Sequence, residues 1–278
     1  MWRVDGRPGA APPADDRGLA YGDGVFETVA VVDGRPALWP DHRARLARGC
    51  TRLGFAAPLE RVDAEVAALA GQGDGVIKLI VTRGSGGRGY TPPTDAGPRV
   101  LARRGGVPER PVHWWREGIT VHRCVTALAV QPALAGIKHL NRLEQVLARR
   151  EWDDPGIAEG LMADTRGNVV AGTMSNVFAR FDDILCTPPV ADCGIAGVMR
   201  RRIIALAPRL GLRPRVRRLT WDGLARADEL WLSNSLVGVW PVARLERRAW
   251  PEAAGARACI DALAAAGTII TPKGWHSP

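Results

Sequence analysis

The chain has 278 residues, 46% of them hydrophobic and 24% charged, which is typical of a globular protein with one large core or two smaller ones. It contains no apolar stretch of about 18 residues, no apolar signal-peptide segment near its first residue and no Cys-x-x-Cys spacing among five scattered cysteines, so we expect a cytoplasmic protein without membrane spans, disulfides or a bound metal. The formal charge of +9 comes almost entirely from arginines that form no long basic block, which favours small anionic substrates over nucleic acid as partners.

The first hundred residues predict strands mixed with helices. Apolar periodicity and turn residues indicate a β-hairpin over 17–40 that turns at Asp33-Gly34, a helix from residue 40 to Gly54, a helix over 59–70, and strands over 76–82 and 99–102. The pattern then lapses into glycines, prolines and a Trp-Trp pair, which is typical of a connection between domains. We therefore expect a small N-terminal domain over 1–106 and a connection over 107–117.

The rest of the chain, 118–278, predicts a larger second domain. Its expected strands lie at 120–126, 159–164, 168–171, 175–180, 184–187 and 229–233, and its expected helices at 140–152, 198–210 and 252–266. Strands at hairpin spacing mixed with helices favour an α+β fold over a regular βαβ series.

A glycine-rich loop over 84–89 matches the spacing Gly-x-Gly-x-x-Gly. A dinucleotide-binding site requires a helix directly after the third glycine, and the prolines that follow Gly89 argue against one. The loop could instead carry Arg83 and Arg88 toward an anion, or it could be a plain hairpin loop.

Three lysines are the candidates for covalent chemistry, because no nucleophile elbow, metal-binding motif or carboxylate pair occurs. Lys273 lies in a polar tail, and Lys78 lies within an apolar strand, where it could face a cleft or reach solvent. Lys138 stands between a loop and a predicted helix. Such a junction can partly remove an amine from water, which lowers its pKa as a Schiff base requires.

A possible phosphate site lies at residues 194–200, where glycines precede a helix that begins near Val198. The first backbone N–H groups of a helix and the positive end of its dipole attract anions. The stretch Ser233-Asn234-Ser235 follows a predicted strand and could add donors. An ordinary loop and an ordinary cap are the alternatives for these two segments.

Taken together, these segments resemble the fold-type IV pyridoxal-phosphate enzymes, the class IV aminotransferase family. The resemblance covers residues 15–245 and rests on five segments that occur in the family's order: Arg17–Thr28, His42-x-x-Arg45-Leu46, Lys138–Glu144, Ser175–Phe178 and Gly197–Arg200. The segments 81–90, 134–147 and 234–242 are similar to those of aminodeoxychorismate lyase in particular.

The resemblance implies a two-domain fold with pyridoxal 5'-phosphate between the domains, and a homodimer. It implies that Lys138 is the Schiff-base lysine. The phosphate-binding positions it implies are Arg45, Val198, Met199, Asn234 and Ser235, and the residues near the substrate carboxylates are Arg83 and Arg88.

The implied reaction converts 4-amino-4-deoxychorismate to 4-aminobenzoate and pyruvate for folate synthesis, with Lys138 as general base and then general acid. Two positions depart from the family. Ala171 replaces the glutamate that keeps the pyridine nitrogen protonated, which argues against transamination, and Phe26 replaces a tyrosine of D-amino-acid transaminases. The alternatives are a D-amino-acid or branched-chain aminotransferase, and a basic nucleic-acid-binding module on the same fold.

Overall fold

The protein is described here by a computed structural model of residues 1–95, 97–272 and 274–275. Contacts divide the chain into two compact units. The first consists of Met1–Pro108 and Ile137–Asn141, and the second of Glu109–Gly136 and the chain from Arg142 onward. Within the described residues, no helix has the length and apolar character needed to cross a membrane.

The first unit is an antiparallel sheet with two long helices packed on one face. The sheet has the order β2-β1-β6-β5-β3-β4. Its strands are β1 (Arg3–Val4), β2 (Arg7–Pro8), β3 (Gly24–Val32), β4 (Arg35–Pro36), β5 (Gly75–Thr82) and β6 (Arg99–Gly105), and its helices are α1 (Arg17–Tyr21), α2 (Trp39–Arg52) and α3 (Leu59–Ala70).

The core of this unit follows from strand alternation. Every second side chain of β3 and β5 is fully buried, as Val29 and Leu79 are, and packs against buried positions of α2 such as Leu46. The predicted turn at Asp33-Gly34 is confirmed, since both residues have positive φ and β3 pairs with β4 across them.

The second unit contains a mixed sheet of mainly antiparallel strands. Its elements are α4 (His113–Arg116), β7 (Ile119–Arg123), α5 (Leu143–Arg149), β8 (Ile157–Ala163), β9 (Val169–Gly172), β10 (Asn176–Phe181), β11 (Ile184–Thr187), α6 (Val198–Leu206), a 3-10 turn (Ala207–Leu210), β12 (Arg213–Val216), α7 (Trp221–Ala225), β13 (Glu229–Asn234), β14 (Gly238–Leu245), β15 (Arg248–Ala249) and α8 (Ala254–Ala265). The sheet runs β12-β11-β10-β13-β14-β7-β8-β9, and β9 also pairs with β10, which closes a ring of strands. The α+β class is confirmed.

The predicted connection over 107–117 is not a bare linker. Both of its tryptophans lie in α4, and the Trp115 indole N–H donates to the Val237 carbonyl at 2.9 Å. Trp114 and Trp115 both pack edge-on against Trp240 of β14, with ring centroids 5.3 and 5.7 Å away. Burial of these aromatic rings fixes the segment to the second unit.

The second domain was predicted as one continuous segment over 118–278, but the contacts interrupt it. Residues 137–141 group with the first unit because their backbone pairs with the free edge of β3. The Phe26 N–H donates to the Lys138 carbonyl at 2.9 Å, and the Leu140 N–H donates to the Gly24 carbonyl at 3.0 Å. The periodicity of the flanking residues does not reveal this pairing, because the segment is only five residues long.

Candidate active site

Lys138 lies in an extended segment, five residues before the first residue of α5. It is half-buried between the buried residues Ile137 and His139, and its Nζ lies 4.2 Å from the centroid of the Phe26 ring. The main chain is therefore held by strand pairing, while the predicted helix start at residue 140 lies three residues too early. The amine is held against an aromatic ring at a fixed backbone position, as a covalent catalyst requires.

A second amine approaches the same ring. The Lys78 Nζ lies 3.6 Å from the Phe26 centroid, and Lys78 is diagonal to Phe26 across the paired strands β3 and β5. Burial lowers the pKa of Lys78 to about 8; attraction to Glu27 opposes this shift and repulsion from Arg103 adds to it. The sequence left the direction of Lys78 open, and the structure shows that it faces Phe26.

On the opposite face of β3, Glu27 forms a buried ionic cluster with two residues of α2. Arg45 donates from Nε to Oε1 at 2.8 Å and from Nη2 to Oε2 at 2.6 Å, and His42 Nδ1 lies 2.7 Å from Oε2. Burial raises the pKa of Glu27, but Arg45 and His42 outweigh it and bring the pKa down to about 2. Glu27 is therefore ionised at every physiological pH.

Arg83 is held in an internal network, and its expected place near a substrate carboxylate stays a prediction. It is 5% exposed and binds the Asp23 carboxylate through Nε at 2.7 Å and Nη2 at 3.1 Å. It also donates to the carbonyl groups of Leu53 and Gly54 at the end of α2. Most of its N–H groups are thus used to join β5 to that helix end.

Arg88 is exposed in the glycine-rich loop, and no hydrogen bond or ion pair joins its side chain to any described residue. The loop itself is held by Arg17, which is 4% exposed and donates to the carbonyl groups of Gly89 at 3.2 Å and Tyr90 at 3.0 Å. Among the described residues between Gly89 and β6 there is no helix, as the prolines that follow Gly89 predict.

In the second unit, α6 begins as the phosphate hypothesis expects. Its N-cap is Gly197, which provides no side-chain hydrogen bond to the first turn, and no acidic residue lies in that turn. A Cβ at Gly197 would lie 1.9 Å from Oδ1 of Asn176, whose amide donates to the Ile195 carbonyl at 2.9 Å. The close approach of Asn176 therefore requires glycine here and leaves the N–H groups of Val198 and Met199 without side-chain caps.

Asn234 is the last residue of β13, and Ser235 follows it in a turn. The Asn234 Oδ1 accepts hydrogen bonds from the backbone N–H groups of Leu236 at 2.9 Å and Val237 at 3.0 Å, and its amide donates to the Met174 carbonyl. Asn234 thus shapes the turn through its side chain, while Ser235 remains half-buried beside it. The Asn234 side chain thus caps the turn, and the phosphate-binding role expected of Asn234 and Ser235 stays a prediction.

Ala171 lies in an apolar part of the second unit. It is 7% exposed, pairs with Met162 on β8, and packs in a cluster that contains Val170 and Cys193. The carboxylate of Glu159, also on β8, accepts hydrogen bonds from the 173–175 turn, including one from the Ser175 hydroxyl at 2.9 Å, while burial raises its pKa. Glu159 is thus engaged by this turn.

The remaining lysine, Lys273, lies outside the described residues. Among the described residues, no group of three or more histidine, cysteine or acidic side chains could hold a metal ion. All five cysteines are free and buried.

Comparison with known proteins extends these observations. The family model for amino-transferase class IV matches residues 24–245. An aminodeoxychorismate lyase of Vibrio harveyi is 36% identical over 87% of this chain and 90% of its own length. The crystal structure of a 4-amino-4-deoxychorismate lyase from Pseudomonas aeruginosa is 47% identical with a TM-score of 0.90, over 95% of this chain and 98% of that one. A D-alanine aminotransferase of Bacillus licheniformis is 26% identical over 88% of this chain and 86% of its own length.

Proposed function

Because the chain belongs to the class IV amino-transferase family, we propose that it is a pyridoxal-phosphate-dependent lyase acting in folate synthesis. The proposed reaction converts 4-amino-4-deoxychorismate to 4-aminobenzoate and pyruvate. One observation carries this proposal: the amines of Lys138 and Lys78 both lie against the ring of Phe26. The 47% identity to a lyase of that substrate supports the choice of reaction.

The residues present suit a phosphorylated cofactor. Arg45 offers a buried guanidinium, and the start of α6 offers uncapped N–H groups at Val198 and Met199. We assign phosphate binding to these three residues together with Asn234 and Ser235. For Asn234, the contribution is the shape of the turn, because its side chain is already hydrogen-bonded within it. When bound, pyridoxal phosphate withdraws electrons from the carbon that carries the substrate amine.

Lys138 supplies the proton transfers. As the general base it removes the proton from the ring carbon that carries the amino group, and the bond between the ring and the enolpyruvyl oxygen breaks. The electron pair of the broken C–H bond enters the ring, which becomes aromatic. Lys138 then returns the proton to the methylene carbon of the departing group, which leaves as pyruvate.

Two cations suit the dianionic substrate. Lys78 has a pKa of about 8, so its ammonium form prevails at neutral pH and can pair with one carboxylate. Arg88 is exposed on a loop that Arg17 holds in place, and its fork of N–H groups suits the other carboxylate. Arg83 is assigned to the support of this region, since its N–H groups bind Asp23 and two carbonyl groups.

The test is a coupled assay for pyruvate with 4-amino-4-deoxychorismate generated in situ. The wild-type protein should take up pyridoxal phosphate with a visible absorbance band that borohydride fixes at Lys138. Lys138→Ala should release no pyruvate, whereas Val216→Ala, a change at an exposed residue of β12, should retain full activity. A protein that stays colourless with excess cofactor would overturn the proposal.

A D-amino-acid aminotransferase is the second candidate, favoured by the 26% identity to a D-alanine aminotransferase. The apolar surroundings of Ala171 oppose it, because they place no carboxylate at that position to support a transaminase's electron sink. Incubation with D-alanine and with branched-chain amino acids distinguishes the two, since only a transaminase accumulates pyridoxamine phosphate.

We also propose a homodimer in the cytoplasm. Five free, buried cysteines suit a reducing compartment. One face of α5 leaves Leu143, Val146 and Leu147 exposed by 75%, 53% and 52%, which is apolar surface that a second copy could cover.

A further inference from the structure

The guanidinium of Arg45 is oriented from behind by a single carboxylate. Its Nε and Nη2 both donate to Glu27, at 2.8 and 2.6 Å, so one whole edge of the planar group is occupied. The Nη1 nitrogen then lies on the side away from Glu27. Since Arg45 is only 5% exposed, this bidentate contact fixes the direction in which its remaining N–H groups point.

The carboxylate is fixed in turn by His42. Glu27 has a pKa of about 2, so it is ionised and can only accept hydrogen bonds. The Nδ1 of His42, 2.7 Å from Oε2, must therefore carry the proton and donate it to Glu27. His42 and Arg45 are three residues apart on α2 and reach Glu27 from the same helix face.

Stability alone gives a weak reason for this cluster. Removing charges from water costs about as much as their attraction returns, and apolar residues of similar size often stabilise a core as well. The neighbours of Glu27 on the same face of β3, Val25 and Val29, are apolar and fully buried, so an apolar side chain would fit the pattern of the strand. A role in orienting the Arg45 guanidinium would explain why a carboxylate stands at position 27.

We propose that Glu27 and His42 are positioning residues that hold the Arg45 guanidinium in the orientation that receives the cofactor phosphate. The inference rests on the proposed function, in which Arg45 binds that phosphate. Its physical basis is preorganisation: an arginine side chain that is already ordered loses less rotamer entropy when it binds the phosphate.

The test compares two ligands that differ only in the phosphate group. The full-length protein, freed of cofactor, is titrated with pyridoxal phosphate and with pyridoxal, and the ratio of the two affinities measures the contribution of the phosphate. Glu27→Gln should lower this ratio by about tenfold, and His42→Gln by a smaller factor, because a charge-assisted contact to Arg45 is lost or loosened. Pyridoxal affinity should change by less than about threefold.

Glu65→Gln is the matched control, because it removes a different buried carboxylate of the same unit that pairs with Arg3 at 2.6 Å. It should leave the ratio unchanged. An equal fall in the ratio for Glu65→Gln would overturn the inference, since a general loss of structure would then explain the result. If Glu27→Gln does not fold, the ratio of pyridoxal phosphate to pyridoxal affinity in His42→Gln tests the inference instead.

Arg45→Lys separates this inference from the proposed function. If Arg45→Lys lowers the ratio but neither Glu27→Gln nor His42→Gln does, Arg45 binds phosphate without their help, and the positioning role is wrong. If Arg45→Lys leaves the ratio intact, Arg45 is not a phosphate ligand, and its role in the proposed function fails together with the inference.

Discussion

At the scale of single residues, Lys78 links electrostatics to a measurable pH dependence. Its pKa is lowered to about 8, so the ammonium form dominates below that pH and is lost above it. If Lys78 pairs with a substrate carboxylate, kcat/KM should fall as the pH rises through about 8, chiefly through a rise in KM. Lys78→Met should lower kcat/KM at pH 7 by about tenfold and remove this limb of the pH profile.

Arg103 provides the control for this assignment. It lies opposite Lys78 in the register of β5 and β6, and its positive charge helps to lower the pKa of Lys78. Arg103→Gln should therefore move the limb to higher pH without removing it. A limb that stays in place in both Lys78→Met and Arg103→Gln would assign the titration to another group.

At this scale, the sequence predicted which side chains could do chemistry, but it did not predict which side chains contact one another. Lys138 could be singled out because the chain has only three lysines and its flanking residues resemble a known family. The ion pair of Arg83 with Asp23 could not be predicted, because the two residues are sixty positions apart and the neighbours of Arg83 in sequence give no sign of Asp23. The cluster of Glu27 with Arg45 was equally hidden, since it joins a strand to a helix.

At the scale of elements, the start of α6 depends on one glycine. In Gly197→Ala the new Cβ would lie 1.9 Å from Oδ1 of Asn176, so either Asn176 or the first turn of α6 must move. We expect the free energy of unfolding to fall by about 1–3 kcal/mol. The affinity for pyridoxal phosphate should fall as well, because the N–H groups of Val198 and Met199 would be displaced. Urea unfolding and cofactor titration measure the two effects.

Gly106→Ala is the control for Gly197→Ala, because the space around Gly106 is open. A Cβ at Gly106 would meet no atom within 4 Å, and Gly106 is not among the glycines with positive φ. Its stability should stay within about 0.5 kcal/mol of the wild type. Equal behaviour of the two alanine variants would refute the packing argument for Gly197.

Elements whose apolar residues repeat at a regular spacing could be predicted. Elements whose structure depends on pairing with distant residues could not. Helix α3 occupies the predicted range 59–70, because its apolar residues repeat at helical spacing. Strand β14 has no counterpart in the prediction, since nearly all its residues are apolar and buried and so show no alternation. For α5, apolar Leu140 suggested an earlier start, but residues 137–141 pair with β3 instead.

At the scale of the whole molecule, the exposed face of α5 predicts the assembly state. Leu143, Val146 and Leu147 lie at helical spacing and are more than half exposed, so a second copy that covers them would bury apolar area. Val146→Glu should shift the protein from dimer to monomer in sedimentation equilibrium. Val216→Glu, at a residue that is 57% exposed on β12, should not. A wild-type protein that sediments as a monomer would contradict the proposed homodimer.

The segment 137–141 makes the first unit discontinuous along the gene. A fragment that ends at residue 108 would carry β3 without the backbone that covers its edge at Val25, and without Lys138. Exposed strand edges recruit strands from other molecules, so such a fragment would tend to associate with itself. Neither unit could therefore be exchanged between proteins as one uninterrupted piece of coding sequence. A breakpoint after residue 108 would separate Lys138 from β3, with which its backbone pairs, whereas a breakpoint after residue 141 would remove β7 from the sheet of the second unit.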